Sequence, residues 1–487
     1  MRLNMAFSRV SIRVLLRFNV VVLLACLVGC ASLNKFAEID NNTCETPFAV
    51  AGAANVSVFL NIAHQGAASN VSLKISSIEL LVDDLWVPFT SSVAEVNTGN
   101  AISHQKFLGR QWLKGQFCRG IRLKVAIAKL SHSGAGDASL TVSPSDSEII
   151  LQNPLALEPD SRKVLFLEWN PAKSIERPEP NAAAFSAYSG GTSRISSNLL
   201  FVTCPDIDTV YVVGADKFQV VDAFAVNGRP SYLAVDSANK RTYVLAESQN
   251  KIMPYDIPTH FPGSEIVVSL ANSPNFMVVK NTSKIAYVLD AQGVLTSIDL
   301  VSGNMINRNR IGNGPNYISY LDNYNKLAVS STYDHTVYLV NPDSLAVEDS
   351  IVLNAAPLGL LGWKNYLYIA QGVTSSVSIY DLNSRRFLKS IHVGFGPSRF
   401  VATSNSVYVA NYGDGTISIM QGEQFGVSKE VTIGKHVREM AVAEKQRLLF
   451  VGEGDCDGSL VVLDTTANQV VGRVELGARP LGLAVNE

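Results

Sequence analysis

Charge is scarce in this chain: 17% of its 487 residues are Asp, Glu, Lys or Arg, and they sum to a net −2. That balance supplies no field for a polyphosphate, which excludes nucleic acid as a main partner. Histidine is scarcer still, seven in all, and beyond residue 197 only His260, His335, His392 and His436 occur, scattered through the sequence. A metal or haem held by a ring of imidazoles therefore has no material there. The chain has no Cys-x-x-Cys-His run and no Gly-x-Ser-x-Gly elbow, so covalently attached haem and the nucleophile of an α/β-hydrolase are excluded too. No catalytic residue, cofactor or metal site is expected. Long apolar runs are also lacking: the longest, Phe18 to Gly29, falls short of the ~20 residues a membrane-crossing helix needs.

That short run is informative by position. It follows Arg2, Arg9, Arg13 and Arg17, the charged start of a secretory signal, and ends in Leu27-Val28-Gly29-Cys30. The ending resembles the lipobox of bacterial lipoproteins. The resemblance implies that residues 1–29 are a signal peptide and that cleavage leaves a lipidated Cys30 as the new N-terminus. Ala31 and Ser32 follow where an Asp would favour inner-membrane retention, so the resemblance implies an anchor in the outer membrane, with the leaflet open. Four other thiols then remain, Cys44, Cys118, Cys204 and Cys456, in an oxidising compartment. Three pairings are possible. The expected one is Cys44 with Cys118 and Cys204 with Cys456, each inside one domain.

Residues 30–50 are mostly small and polar and read as a tether. From 51 to 171 short alternating runs recur, among them Val56–Ile62, Ile78–Val82, Ile121–Ile127 and Val164–Trp169, separated by Gly, Asn, Ser and Asp. That period of two predicts a β-sandwich domain. Leu85-Trp-Val-Pro88 and Gly120-Ile-Arg-Leu123 within it weakly resemble a poorly characterised bacterial sandwich family, from which no function follows. Residues 172–197, rich in Pro, Ala, Ser and Gly, read as a linker that lets the flanking domains move.

Residues 198–487 repeat. A turn closing on Pro recurs at Pro230, Pro274, Pro315, Pro357, Pro397 and Pro480, with Val437 in the sixth register, at a period of about 42 residues. Each period holds a Tyr-Val type strand (Tyr243, Tyr287, Tyr368, Tyr408) and a third strand ending in Asp256, Asp299, Asn341, Asp381 or Asp464. Four strands per repeat of this length predict the blades of a propeller, none of which can bury its faces alone. Tyr408-Val-Ala-Asn411 and Ile391-His-Val-Gly-Phe-Gly-Pro397 resemble the bacterial YVTN-type propellers. The first repeat lacks its first strand, and the chain ends on a lone one, Leu481–Val485. The C-terminal strand is therefore expected to complete blade one, giving an all-β chain with a seven-bladed β-propeller and no open edge.

The recurring third-strand Asp residues are read as turn formers bonding backbone two residues on. Asp455-Cys-Asp-Gly458 resembles a fragment of an acidic Ca²⁺ loop, but Asp-Gly is also a favoured hairpin turn, and the turn is preferred. Arg229, Arg399, Lys435, His436, Arg438 and Arg479 fall in loops at one end of the sheets and form a possible ligand face for an anion or acidic partner. The expected function is a membrane-anchored, non-catalytic binding or scaffold protein with a protein or polysaccharide partner in the envelope. The alternatives are a lactonase-type propeller hydrolase, hinted at by His436 near Glu453 and Asp455, or an accessory subunit of an envelope redox system.

Overall fold

A computed structural model of the protein describes residues 50–62, 69–93, 95–97, 105–132, 135–140, 147–169, 185–190, 198–269, 271–280 and 282–487. The expected signal peptide, the lipid site Cys30, the tether up to residue 49 and Cys44 lie outside the described residues. Among those described the fold is all-β: strands joined by turns and single turns of 3-10 helix, with no α-helix.

The N-terminal part has two sheets. One is four-stranded, in the order Phe185–Ser189, Arg162–Trp169, Ala54–Ile62, Gln105–Leu113, with the middle pair parallel. The other is six-stranded and built on the long pair Ser69–Val82 and Phe117–His132. Val56, Val58 and Leu60 from the first meet Leu73, Ile78 and Leu80 from the second in one core, as alternation on each strand requires.

The rest is seven four-stranded antiparallel sheets, six of them formed from consecutive strands. The first sheet instead runs Gln219–Ala225, Thr209–Gly214, Leu199–Cys204, Leu483–Asn486, so the last strand of the chain pairs antiparallel with Leu199–Cys204. Innermost strands touch one another in turn, from Pro230–Asp236 round to Leu483–Asn486, which touches Pro230–Asp236 again. Second strands are apolar on both faces because both are covered by neighbouring sheets, and Tyr243, Tyr287, Tyr368 and Tyr408 are all buried there.

The turn reading of the third-strand residues agrees with the geometry. Asp299 Oδ1 accepts from the amides of Val301 and Ser302, at 2.7 and 3.1 Å. Asp381 and Asp464 do the same two and three residues on, and so does Asn341.

Two expectations need correction. Within the stretch read as linker, Phe185–Ser189 is a strand on Arg162–Trp169, where Phe185 stacks on Trp169 and Tyr188 packs against Phe166. Nor are the two parts independent: Thr46–Glu487 is one compact unit. Ala54–Ile62 is buried on both sides, its second side being Ser57, Phe59 and Asn61. Phe59 packs with Val164 and Phe166 into the cluster of Leu200, Tyr211 and Phe450. Ser57 Oγ lies 3.1 Å from Tyr211 Oη, to which Arg110 also donates at 2.9 Å. Gln105 spans the junction from Asn61 to the backbone of Val220.

Candidate functional site: an axial plug and a paired rim

The seven innermost strands each follow the recurring turn, four beginning at its Pro and three at Leu360, Met440 and Leu483. Counting from Pro230, Pro274, Pro315, Pro357, Pro397, Val437 and Pro480, the third residue is Tyr232, Phe276, Tyr317, Gly359, Arg399, Glu439 and Gly482. A bulge at this point shifts the register in four of the strands. The large members of the set meet one another. Tyr232 and Phe276 have ring centroids 4.0 Å apart, and Phe276 and Tyr317 4.7 Å. The Arg399 guanidinium lies 5.1 Å from the Phe276 centroid and 5.0 Å from that of Tyr317, donates to Tyr232 Oη at 3.3 Å, and has Nε 3.3 Å from Glu439 Oε2. Cation, rings and carboxylate from five sheets thus plug the middle of the ring. The two small members have a different reason: a methyl group at Gly359 would come within 2.2 Å of Ser398 O, and one at Gly482 within 2.4 Å of Ser231 O.

Burial sets the electrostatics of the plug. It opposes the charge on Arg399, but the nearby Tyr232, Glu439 and Tyr317 oxygens outweigh it and raise the guanidinium pKa further. Glu439 is pushed above the usual carboxylate range by burial, which Arg399 only partly offsets. Burial likewise raises the phenols of Tyr232 and Tyr317. Arg399 therefore belongs to the axis and not to the loop face on which the sequence had placed it.

The other five residues of the expected arc do sit in loops at one end of the sheets, but carboxylates accompany them. Asp206 Oδ1 receives Arg479 at 2.7 Å and lies 3.7 Å from Arg229. Asp455 receives Arg438 at 2.8 Å and lies 2.9 Å from His436 Nδ1. Burial opposes the ionisation of Asp455, yet the hydrogen bond from Arg438 and the contact with His436 hold it below the usual range. Lys435 is exposed, and its amide donates to Glu453, which also binds Arg473 and Ser459. Arg229, Arg438 and Arg479 are thus paired with carboxylates, whereas the Lys435 side chain stands exposed. Asp455 has one oxygen on Arg438 and the other on His436, which favours the turn over a Ca²⁺ loop, and among the described residues no three His, Cys, Asp or Glu are grouped to hold a metal.

Neither expected disulfide forms: Cys118 and Cys204 are free, buried thiols. Cys204 points into the apolar cluster between the first and seventh sheets, whereas Cys456 sits in an exposed turn, so the two cannot meet. Burial raises the Cys204 thiol to about 12 and the Cys118 thiol to about 11. Cys456 is disulfide-bonded.

The ring of small sheets defines a β-propeller-like all-β fold. No known family model and no curated protein matches the sequence. Among solved structures, a functionally unknown protein from Desulfotomaculum acetoxidans is similar at a TM-score of 0.52 and 15% identity, over 59% of this chain and 98% of that one. Dihydro-heme d1 dehydrogenase NirN in complex with DHE is similar at 0.49 and 16%, over 61% and 76%. U3-55K is similar at 0.44 and 10%, over 51% and 82%. At these identities the likeness concerns fold alone.

Proposed function

We propose that the chain is a lipid-anchored binding or scaffold protein of the bacterial cell envelope. In this reading a β-sandwich is fixed to a seven-bladed β-propeller closed by the C-terminal strand, and the propeller presents one loop face to a protein or polysaccharide partner. A signal peptide of residues 1–29, lipid on Cys30 and an outer-membrane location belong to the same reading. The observation that carries it is the axial plug: with Arg399, Glu439, Tyr232, Phe276 and Tyr317 filling the middle, binding falls to the loop face, which the ring holds rigid.

The test is crosslinking in whole cells carrying the lipidated protein, followed by recovery of the crosslinked material, beside a Cys30→Ser control. Capture of one reproducible envelope partner supports the reading. Failure of the wild type to incorporate labelled palmitate, or palmitate incorporation that Cys30→Ser leaves intact, overturns the anchor.

The His436–Asp455 pair favours a second reading, a hydrolase of lactonase type with His436 as general base. Turnover of a simple lactone that disappears in His436→Ala would select it.

A further inference from the structure

Two Asn-Gly pairs occur in the sequence, Asn227-Gly228 and Asn313-Gly314, and both fall in the recurring turn, at the entries to the second and fourth sheets. Such a pair carries a latent reaction. The backbone nitrogen after an Asn can attack that residue's own side-chain carbonyl carbon and close a cyclic imide, and Gly offers no side chain to obstruct the approach. How the side chain and the nitrogen are held decides whether the reaction runs.

The two turns hold them differently. Asn313 is tied at side chain and backbone. Its Nδ2 donates to Asp334 Oδ1 at 3.0 Å, its amide to Asp334 Oδ2 at 2.7 Å and to Ser331 Oγ at 3.0 Å, and its carbonyl accepts from Ser331 Oγ at 2.6 Å. Swinging that side chain over the Gly314 nitrogen breaks a hydrogen bond to a charged carboxylate. The Asn227 side chain is exposed and makes no hydrogen bond or ion pair among the described residues.

A base stands beside the second nitrogen. Asp208, in the loop between the second and third strands of the first sheet, has Oδ1 accepting from the Gly228 amide at 3.2 Å and from the Arg229 amide at 2.8 Å. Its Oδ2 lies 3.9 Å from Arg162. The Gly228 proton therefore already points at a carboxylate. Gly228 has φ +98°, and an added methyl there would be 2.6 Å from Gln249 Cγ, so the turn requires a residue with no side chain. The charges nearest in the turn are those of Arg229, which is 37% exposed, 3.7 Å from Asp206 and 4.0 Å from Glu247. Arg438 and Arg479 sit closer to their carboxylates, at 2.8 and 2.7 Å.

We propose that Asn227 is a self-modifying position, which loses its side-chain amide to attack by the Gly228 nitrogen with Asp208 as the base. Asp208 takes the Gly228 proton, the nitrogen bonds to Asn227 Cγ, and the Cγ–Nδ2 bond breaks. The departing nitrogen takes the proton back from Asp208 and leaves as ammonia. Water then opens the imide at either carbonyl, which leaves Asp or its β-linked isomer at this position. The rim becomes one charge more negative, irreversibly, in the turn of the arginine that its carboxylates hold least closely. The inference goes beyond the binding reading and stands without it.

The test is incubation of the purified mature chain in mildly alkaline buffer, with peptide mapping of both positions in the same sample. Conversion at Asn227 should run about tenfold faster than at Asn313, the factor that one hydrogen bond to a charged group supplies. Isoelectric focusing should show an acidic band that grows with time, comigrates with Asn227→Asp and never forms in Asn227→Gln, whose longer side chain cannot close the same ring. Asp208→Asn should slow conversion at Asn227 and leave Asn313 unchanged. Conversion at Asn227 no faster than at Asn313, or an acidic band that Asn227→Gln retains, overturns the proposal. So does conversion that Asp208→Asn hastens, since Asp208 would then restrain the Gly228 nitrogen. If Asp208→Asn lowers the thermal midpoint, the two positions compared within the wild type still decide.

Discussion

Arg399 Nε lies 3.3 Å from Glu439 Oε2 across adjoining innermost strands, and each is the third residue after the same turn in successive repeats. Both are largely buried, so removing one leaves the other without its counter-charge in a low dielectric. Arg399→Met should cost about 2–4 kcal/mol, somewhat below a fully buried pair. The variant joined to Glu439→Leu should recover part of the loss. Urea unfolding of both singles and the double gives the coupling; two additive losses would mean that the plug is not an ion pair.

Tyr211 and Phe59 make the N-terminal sheets and the ring one body. Phe59 is fully buried, 5.4 Å from Phe107, and 6.0 Å from both Phe166 and Tyr211. Phe59→Ala should therefore cost about 3–5 kcal/mol. More tellingly, it should divide a single calorimetric transition into two. Two transitions already present in the wild type would contradict the coupling.

Why the sequence predicted linked but mobile domains is visible in Ala54–Ile62. Its alternation places Asn55, Ser57 and Asn61 on one side, the ordinary pattern of a solvated face. Here all three are buried, and Ser57 and Asn61 are satisfied by Tyr211, Tyr188 and Gln105, partners more than 40 residues away that no local pattern announces. The repeats, by contrast, were legible, because turn residues and strand period recur in each. The axial plug lay between these extremes. Aligning the repeats on their Pro puts Tyr232, Phe276, Tyr317, Arg399 and Glu439 in one column, but that they meet across a ring depends on closure. Cys204 was misread for a related reason: its place near Cys456 along the ring is right, but its side chain faces the core.

The thiols give a direct test. Among the described cysteines, those of Cys118 and Cys204 should be titratable after denaturation without reductant, and should react very slowly in the native protein because both are buried. Labelling of Cys456 as well in the denatured, unreduced chain, located by peptide mapping, would mean that it is reduced. Fast reaction of the native protein would contradict the burial.

Acid sensitivity should come from the turn aspartates. Asp299 is held below the usual range by the amides of Ser302 and Val301, Asp381 by those of Asn383 and Ser384, and Asp464 by those of Ala467 and Thr466. A carboxylate lowered on folding contributes stability that is present above its unfolded pKa of about 4 and lost as pH falls through the folded value. Asn341 makes the same turn without titrating. The triple variant Asp299→Asn, Asp381→Asn, Asp464→Asn should thus keep the neutral thermal midpoint yet lose less of it between about pH 5 and pH 2. Equal acid slopes for variant and wild type would place the acid sensitivity elsewhere.

Gly482 and Gly359 test the closure itself. At Gly482 a methyl group would stand 2.4 Å from Ser231 O, and at Gly359 2.2 Å from Ser398 O, in each case a backbone oxygen of the next innermost strand. A flexible side chain could retreat from such a contact; a strand fixed in a closed ring cannot without shifting its neighbours. Gly482 also carries the join between the last strand and Leu199–Cys204, its amide donating to Thr203 Oγ1 at 2.7 Å and its carbonyl accepting from the Thr203 amide at 2.9 Å. Gly482→Ala and Gly359→Ala should each lose about 1–3 kcal/mol. Only the first should also loosen the terminal strand, read as faster amide exchange at Leu483–Asn486. Alanine tolerated at both positions would mean that the innermost strands have room to move apart, and the rigid support claimed for the loop face would fail with it.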